Sequence, residues 1–224
     1  MTSSPTAAVW SDLQARLESA GIRWQDSWLA PLQQLADLLA AGQAQTNLVG
    51  DPSPTGLCGH VLEAMVVAHL AQQALGRAPA LACDVGAGAG LQGLAWALFW
   101  PTATIVLVEP RKKRAEFIAD TAARMGLRQV QVVQRSLSVA GLAGRCDFAS
   151  ARAVWPVPEW LDHARALCLP GGVIGLHVRG PLDVWQQQLA RLQYDHKTMR
   201  HWQFALSAQV PGPQQNVVVI ARPA

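Results

Sequence analysis

Apolar positions recur with a helical period through the first third of the chain. Val9, Leu13 and Leu17, followed by Ala20-Gly21, predict one amphipathic helix stopped by glycine. Trp28, Leu32, Leu35, Leu38 and Leu39 predict a second, ended by Gly42. Asn47–Gly59 holds three glycines, two prolines and Asp51, which predicts a loop. Leu62, Met65, Val66, His69 and Leu70 give a third helical face. After Gly76 and Pro79 the period changes. Leu81–Val85, Thr104–Glu109, Val130–Val133, Asp147–Ser150 and Gly172–Val178 are short apolar runs that predict strands. Helical stretches at Gln92–Trp100, Arg111–Met125 and Val157–Leu167 separate most of them. Alternating strands and helices imply a parallel α/β sheet. Met199–Leu206 and Gln215–Ala221 flank a Pro-Gly-Pro turn and predict an antiparallel hairpin at one sheet edge. Two parts follow: a helical extension over 1–76 and an α/β domain over 77–224.

Composition narrows the class. Of 224 residues, 50% are hydrophobic and 15% charged, which excludes a disordered chain. The apolar runs are too short to span a bilayer, and Met1–Trp10 has no export-signal pattern. Cys58, Cys83, Cys146 and Cys168 form no CxxC pair and read as reduced thiols, so a cytoplasmic location is expected. The six histidines form no metal spacing, and no metal is expected. The net charge is +3, unevenly spread. Residues 1–60 hold two basic against five acidic residues, leaving sixteen against ten in 61–224. Arg111, Lys112, Lys113 and Arg114 open one helix and suit phosphate contacts.

The segment Asp84-Val-Gly-Ala-Gly-Ala-Gly-Leu-Gln-Gly93 lies between a strand and a helix, the setting of a nucleotide-binding loop. Gly86, Gly88 and Gly90 allow backbone to approach a ligand closely. Asp84 ends its strand and can accept from a ligand ammonium or a water. Glu109 ends the next strand and can accept from both hydroxyls of a ribose. Gly88-x-Gly90-x-x-Gly93 fits a dinucleotide site, whereas an acid two places before the first glycine suits S-adenosylmethionine. A purely structural loop is the third reading.

From about Asp37 onward the chain resembles the bacterial 16S rRNA guanine-N7 methyltransferases, the glucose-inhibited division protein B family. The marks are Thr46-Asn47-Leu48, His60 with Glu63, Asp84–Gly93, Leu107-Val108-Glu109-Pro110, Lys113-Arg114 and Ala151-Arg152-Ala153. Leu169-Pro170-Gly171-Gly172, Arg179-Gly180 and Val217–Ile220 continue the series. The resemblance implies a class I methyltransferase of Rossmann-like architecture, with seven strands, the last antiparallel, and a helical N-terminal extension. It implies methyl transfer from S-adenosylmethionine to guanine N7 in the 530 loop of 16S rRNA. Cofactor contacts would fall on Gly86, Leu91, Leu137, Ser138 and Arg152. Gln92 stands where the family usually has proline, and Gln215-Asn216 where it has Arg-His. The partner would be 16S rRNA or the 30S subunit, the protein a monomer.

N7 carries a lone pair and no proton, so the reaction needs no general base. Positioning would dominate. Arg152 is the expected catalytic group at the transfer site, with Arg179 and His60 on the RNA side. Trp155 and Trp160 offer either packing or a surface for a base. Two other functions fit the same motifs: a relative that binds RNA without methylating, and a methyltransferase of this fold with another substrate.

Overall fold

The computed structural model describes residues 7–43, 46–137, 141–152, 154–194, 202–211 and 216–223. The N-terminal helices are α1 (Ala7–Ser19), α2 (Leu29–Gln43), entered through a 3₁₀ turn at Asp26–Trp28, and α3 (Pro54–Leu75). Gly21 follows α1 at φ +78°, the left-handed stop expected. Gly42 instead lies inside α2. A Cβ there would come within 2.4 Å of the Phe117 ring, so this glycine serves close packing rather than helix termination.

The predicted loop over Asn47–Gly59 is too long. Helix α3 already begins at Pro54, because the Ser53 hydroxyl accepts from Gly56 N at 3.0 Å and Pro54 occupies the first turn. Glycine and proline counts hid this cap. The helix then runs to Gly76, whose φ is +72°. Twelve residues of α3 are buried, a burden that no one-sided surface helix carries. It lies against α1, α4, β5 and β7.

The remaining elements are β1 (Leu81–Val85), α4 (Leu91–Phe99), β2 (Thr104–Val108), α5 (Lys112–Arg124), β3 (Val130–Val133), β4 (Cys146–Ala151), α6 (Val157–Leu167), β5 (Cys168–Arg179), α7 (Leu182–Tyr194), β6 (Trp202–Gln209) and β7 (Asn216–Pro223). Helix α7 carries no prediction above. The seven strands form one sheet in the order β3-β2-β1-β4-β5-β7-β6. The first five are parallel, and β7 enters antiparallel between β5 and β6. This is the class I methyltransferase arrangement, with the hairpin at the sheet edge. Residues 199–201 and 215 of the predicted hairpin lie outside the described residues.

Both faces of the sheet are covered, which is why β4 is buried at every position. On one face, Leu62, Met65, Trp96 and Phe148 share a core that joins the N-terminal helices to the sheet. On the other, Trp160 and Leu161 of α6 pack over β4 and β5. Several tryptophans are structural. Trp96 Nε1 donates to Ala64 O at 2.9 Å, Trp100 Nε1 to Gln72 Oε1 at 2.8 Å, and Trp160 Nε1 to Gly175 O at 3.0 Å. Each buries a large ring and satisfies its one donor. Asp147 fixes the N-terminal end of β1 by accepting from Ala80 N, Leu81 N and Arg77. All four cysteines are buried and free. No helix among the described residues is long and apolar enough to cross a membrane.

Candidate functional site

A cavity of about 950 Å³ opens at the C-terminal ends of β1, β2, β4 and β5. Parallel α/β sheets bind ligands at that end, where loops diverge around a switch in strand order. The β1–α4 loop forms one wall. Gly86, Gly88 and Gly90 have φ of +69°, +62° and +77°, which L side chains rarely adopt. Their surroundings differ. A Cβ on Gly90 would meet Ile118 at 2.9 Å, and one on Gly93 would meet Leu107 at 2.7 Å. Gly90 lets the start of α4 sit close to α5, and Gly93 lets it sit close to β2. A Cβ on Gly88 would have nothing nearer than Arg114 Nη1 at 3.9 Å. The space beside Gly88 belongs to the cavity.

Asp84 is buried and engaged within the protein. It accepts from Gln92 Nε2 at 2.9 Å and from Gly93 N at 3.0 Å, thereby anchoring the start of α4. Burial pushes its pKa up to about 6, against the hydrogen bonds from Gly93 and Gln92 and the charges of Arg152 and His177. Glu109 accepts from Gly88 N at 2.8 Å and Arg111 N at 2.9 Å, holding the glycine loop to the end of β2. Each carboxylate oxygen keeps a further lone pair, so a ribose hydroxyl can still be accepted there. Leu91 and Leu137 line the same region. Ser138 lies outside the described residues.

The opposite wall comes from the N-terminal segment. Gln43 braces it: its Oε1 accepts from Leu48 N and Val49 N, and its Nε2 donates to Val49 O. Arg114 Nη2 donates to Asn47 O at 2.9 Å, tying this segment to α5. Leu48, Asp51, His60 and Glu63 thereby reach the cavity.

Between the walls lies a polar cluster around Glu63, which is 6% exposed. Its Oε1 accepts from His177 Nδ1 at 2.6 Å, and its Oε2 from Asn216 Nδ2 at 3.0 Å. Arg152 Nη1 lies 3.8 Å from the same Oε2 and bonds His60 Nδ1. His177 Nε2 shares a hydrogen bond with Ser150 Oγ at 3.0 Å. Burial alone would raise the Glu63 pKa. The bond from His177 and the charges of His177, Arg152 and His60 outweigh it and hold the group down at about 2. His60 is pushed down to about 4 by burial and by the Arg152 charge.

The predicted site residues therefore fall in three places. Asp84, Gly86, Gly88, Leu91, Glu109, Leu137, Arg152, Arg179, His60, Arg111 and Arg114 line one cavity. Gly90 packs beneath it. Lys112 and Lys113 are exposed on the outer face of α5, with Lys112 Nζ 3.8 Å from Glu116. Trp155 lines the cavity and stacks on buried Trp160, with centroids 5.8 Å apart and planes 8° apart. The sequence reading missed the roles of Gln92, Ser150, His177 and Asn216. A histidine inside the apolar run Val173–Val178 was the one readable signal. Among the described residues, no three His, Cys, Asp or Glu side chains converge as a metal site.

A family model described as rRNA small subunit methyltransferase G matches residues 29–210. A ribosomal RNA small subunit methyltransferase G of Frankia alni is 33% identical over 168 residues, covering 73% of this chain and 62% of that protein. The one from Halorhodospira halophila is 32% identical over 183 residues, covering 80% and 82%. The match spans only about three fifths of the first relatives, 62% and 60%. Among solved structures, TYW2 of M. jannaschii in complex with AdoMet aligns at a TM-score of 0.57 and 15% identity, covering 73% of this chain and 74% of that one. MtNAS in complex with MTA and tNA aligns at 0.58 and 14%, covering 87% and 70%.

Proposed function

Because the chain belongs to the rRNA small subunit methyltransferase G family, we propose that it transfers a methyl group from S-adenosylmethionine to N7 of a guanine in the 530 loop of 16S rRNA. The observation that carries this reading is one cavity with two chemically different ends. The end at Gly88 and Glu109 fits the nucleoside of the cofactor: side-chain-free space beside a left-handed glycine, and a carboxylate with acceptor capacity in reserve. The end at Arg152, His60 and Arg179 carries donors and positive charge, which suit a base edge and its flanking phosphates.

Bound S-adenosylmethionine supplies an electrophilic methyl group. The chain's own residues bind and orient. Glu109 accepts from the ribose hydroxyls. Arg152, fixed at one edge by Glu63 and His60, keeps its Nε and Nη2 hydrogens free of described protein partners. Those donors hold the cofactor carboxylate or steady the base. Leu48, Leu91 and Leu137 exclude water beside them. No residue need remove a proton, and the acids in the cavity wall are engaged in structural bonds. Arg111 and Arg114 at the rim, with Lys112 and Lys113 beyond, would meet the RNA backbone.

The test is methyl transfer to 30S particles purified from cells lacking this gene, with mass-spectrometric mapping of the product. One methyl per particle on a guanosine, cleaved by chemistry specific for 7-methylguanosine, is the expected outcome. Binding of the particles with no transfer would leave an RNA-binding protein instead.

A further inference from the structure

We propose that His60 reads O6 of the target guanine, donating from Nε2 while its Nδ1 is held by Arg152. This rests on the function proposed above and names the residue that selects the base.

The argument starts from hydrogen-bond inventory. Arg152 Nη1 lies against His60 Nδ1. A guanidinium has donors and no acceptor, so Nδ1 must be the bare, accepting nitrogen. A neutral imidazole with a bare Nδ1 carries its proton on Nε2. The tautomer is thus set by the partner. His60 lines the cavity, and no described residue takes its Nε2. The ring stays neutral at physiological pH. Burial and Arg152 push its pKa down to about 4, while Glu63 and Asp51, the acids that face it, pull it upward less strongly.

A fixed, neutral N–H donor matches guanine and opposes adenine. Guanine presents acceptors at both N7 and O6, whereas adenine presents N7 beside an amino donor. A donor aimed at O6 leaves N7 unobstructed and meets a second donor if adenine enters. Neutrality matters as well, because methylation at N7 leaves the base with a positive charge. Arg152 is already offset by Glu63, whose Oε2 is 3.8 Å away. A second cation at His60 would oppose the product.

Two variants divide the ring's functions. Asparagine places an oxygen near the position of Nδ1 and nothing at Nε2. Glutamine places an amide nitrogen near Nε2. The substrates are 30S particles reconstituted with 16S rRNA bearing either guanosine or 2,6-diaminopurine at the mapped position. The second base replaces O6 with an amino group. His60→Asn should lose about thirtyfold in kcat/KM on guanine, the scale of one hydrogen bond left unmade in a closed site. S-adenosylmethionine affinity by calorimetry should not change, and His60→Gln should retain most activity. Wild-type protein should be slow on diaminopurine, and His60→Asn should add no further loss there. Full activity of His60→Asn, or the same loss on both bases, overturns the proposal. Absence of any wild-type transfer overturns the function reading itself. A readout independent of turnover is nitrogen NMR of the histidine rings. His60 should show the Nε2–H tautomer at pH 7 and titrate well below pH 6. The Nδ1–H tautomer, or titration near pH 6.5, overturns the proposal even if a variant fails to fold.

Discussion

Glu63→Gln removes one negative charge from the centre of the polar cluster with almost no change in volume. The ionised carboxylate is held at a pKa of about 2, against an ordinary 4.5. At about 1.4 kcal/mol per unit, that difference corresponds to about 3 kcal/mol of folding stability at neutral pH. The amide cannot recover it. His177 Nδ1 and Asn216 Nδ2 each donate to one Glu63 oxygen, and the Arg152 cation lies 3.8 Å away, so an amide nitrogen turned towards either donor sets donor against donor. The assay is urea unfolding at 25 °C, from pH 7 downward. With a slope of about 2–3 kcal/mol per molar urea, the variant's midpoint should fall by about 1 M at pH 7. The sign with pH follows from the depressed pKa. The carboxylate's contribution is complete above about 4.5 and is lost as pH falls towards about 2. The gap between wild type and variant should therefore be constant down to about pH 5 and narrow below it. Asp84, pushed up to about 6, gains stability as pH falls from there towards 3.8. His60, pushed down to about 4, loses it between 6.5 and 4. Both are present in the two proteins and largely cancel in the difference. Equal midpoints at pH 7, or a gap unchanged at pH 3, would refute the assignment of Glu63 as the charged hub.

Arg152→Ala should lower methyl transfer about a hundredfold, or about 2.7 kcal/mol of transition-state stabilisation, while costing about 1 kcal/mol in stability through loss of a part-exposed ion pair. Near-normal turnover would remove Arg152 from the site. Gly88→Ala should keep the fold, with about 1–2 kcal/mol of left-handed strain, and weaken S-adenosylmethionine at least tenfold by calorimetry. Gly93→Ala should instead lower the melting temperature, because its Cβ meets Leu107 at 2.7 Å; a reversed pattern would show that the cavity has been misassigned. Asp147→Asn should cost about 2 kcal/mol, or roughly 4–8 °C in melting temperature, with turnover unaffected. An unchanged melting curve would show that its bonds to Ala80 and Leu81 contribute little.

The parts of this fold visible in the sequence are those set by local pattern. The strand runs, the glycine loop and the acid ending β2 are each legible within ten residues, because apolar period and glycine conformation are local properties. Helix α7 went unread although Leu182, Trp185, Leu189 and Leu192 recur at helical spacing; the polar run Gln186–Gln188 and Val184, 41% exposed, dilute that stripe. The start of α3 was masked by the glycines and prolines around a Ser-Pro cap. The cavity's nucleoside end was readable for the same local reason. Its other end was not, because His177 and Asn216 stand 114 and 153 positions from Glu63. Only the entry of β7 between β5 and β6 brings those three side chains together.

That late entry gives the two ends of the cavity different histories. The glycine loop needs only β1, β2 and the helix after each, contacts that close within about thirty residues. The Glu63 cluster needs a segment formed after β6 to slide inside β6 and dock on β5 and α3. Closing so long a loop carries a large entropic cost before any contact repays it. During refolding, the nucleoside end should therefore become competent first. The base-reading end follows only when the sheet is closed, so an incompletely folded chain holds a half-formed pocket in which Arg152 has no fixed direction.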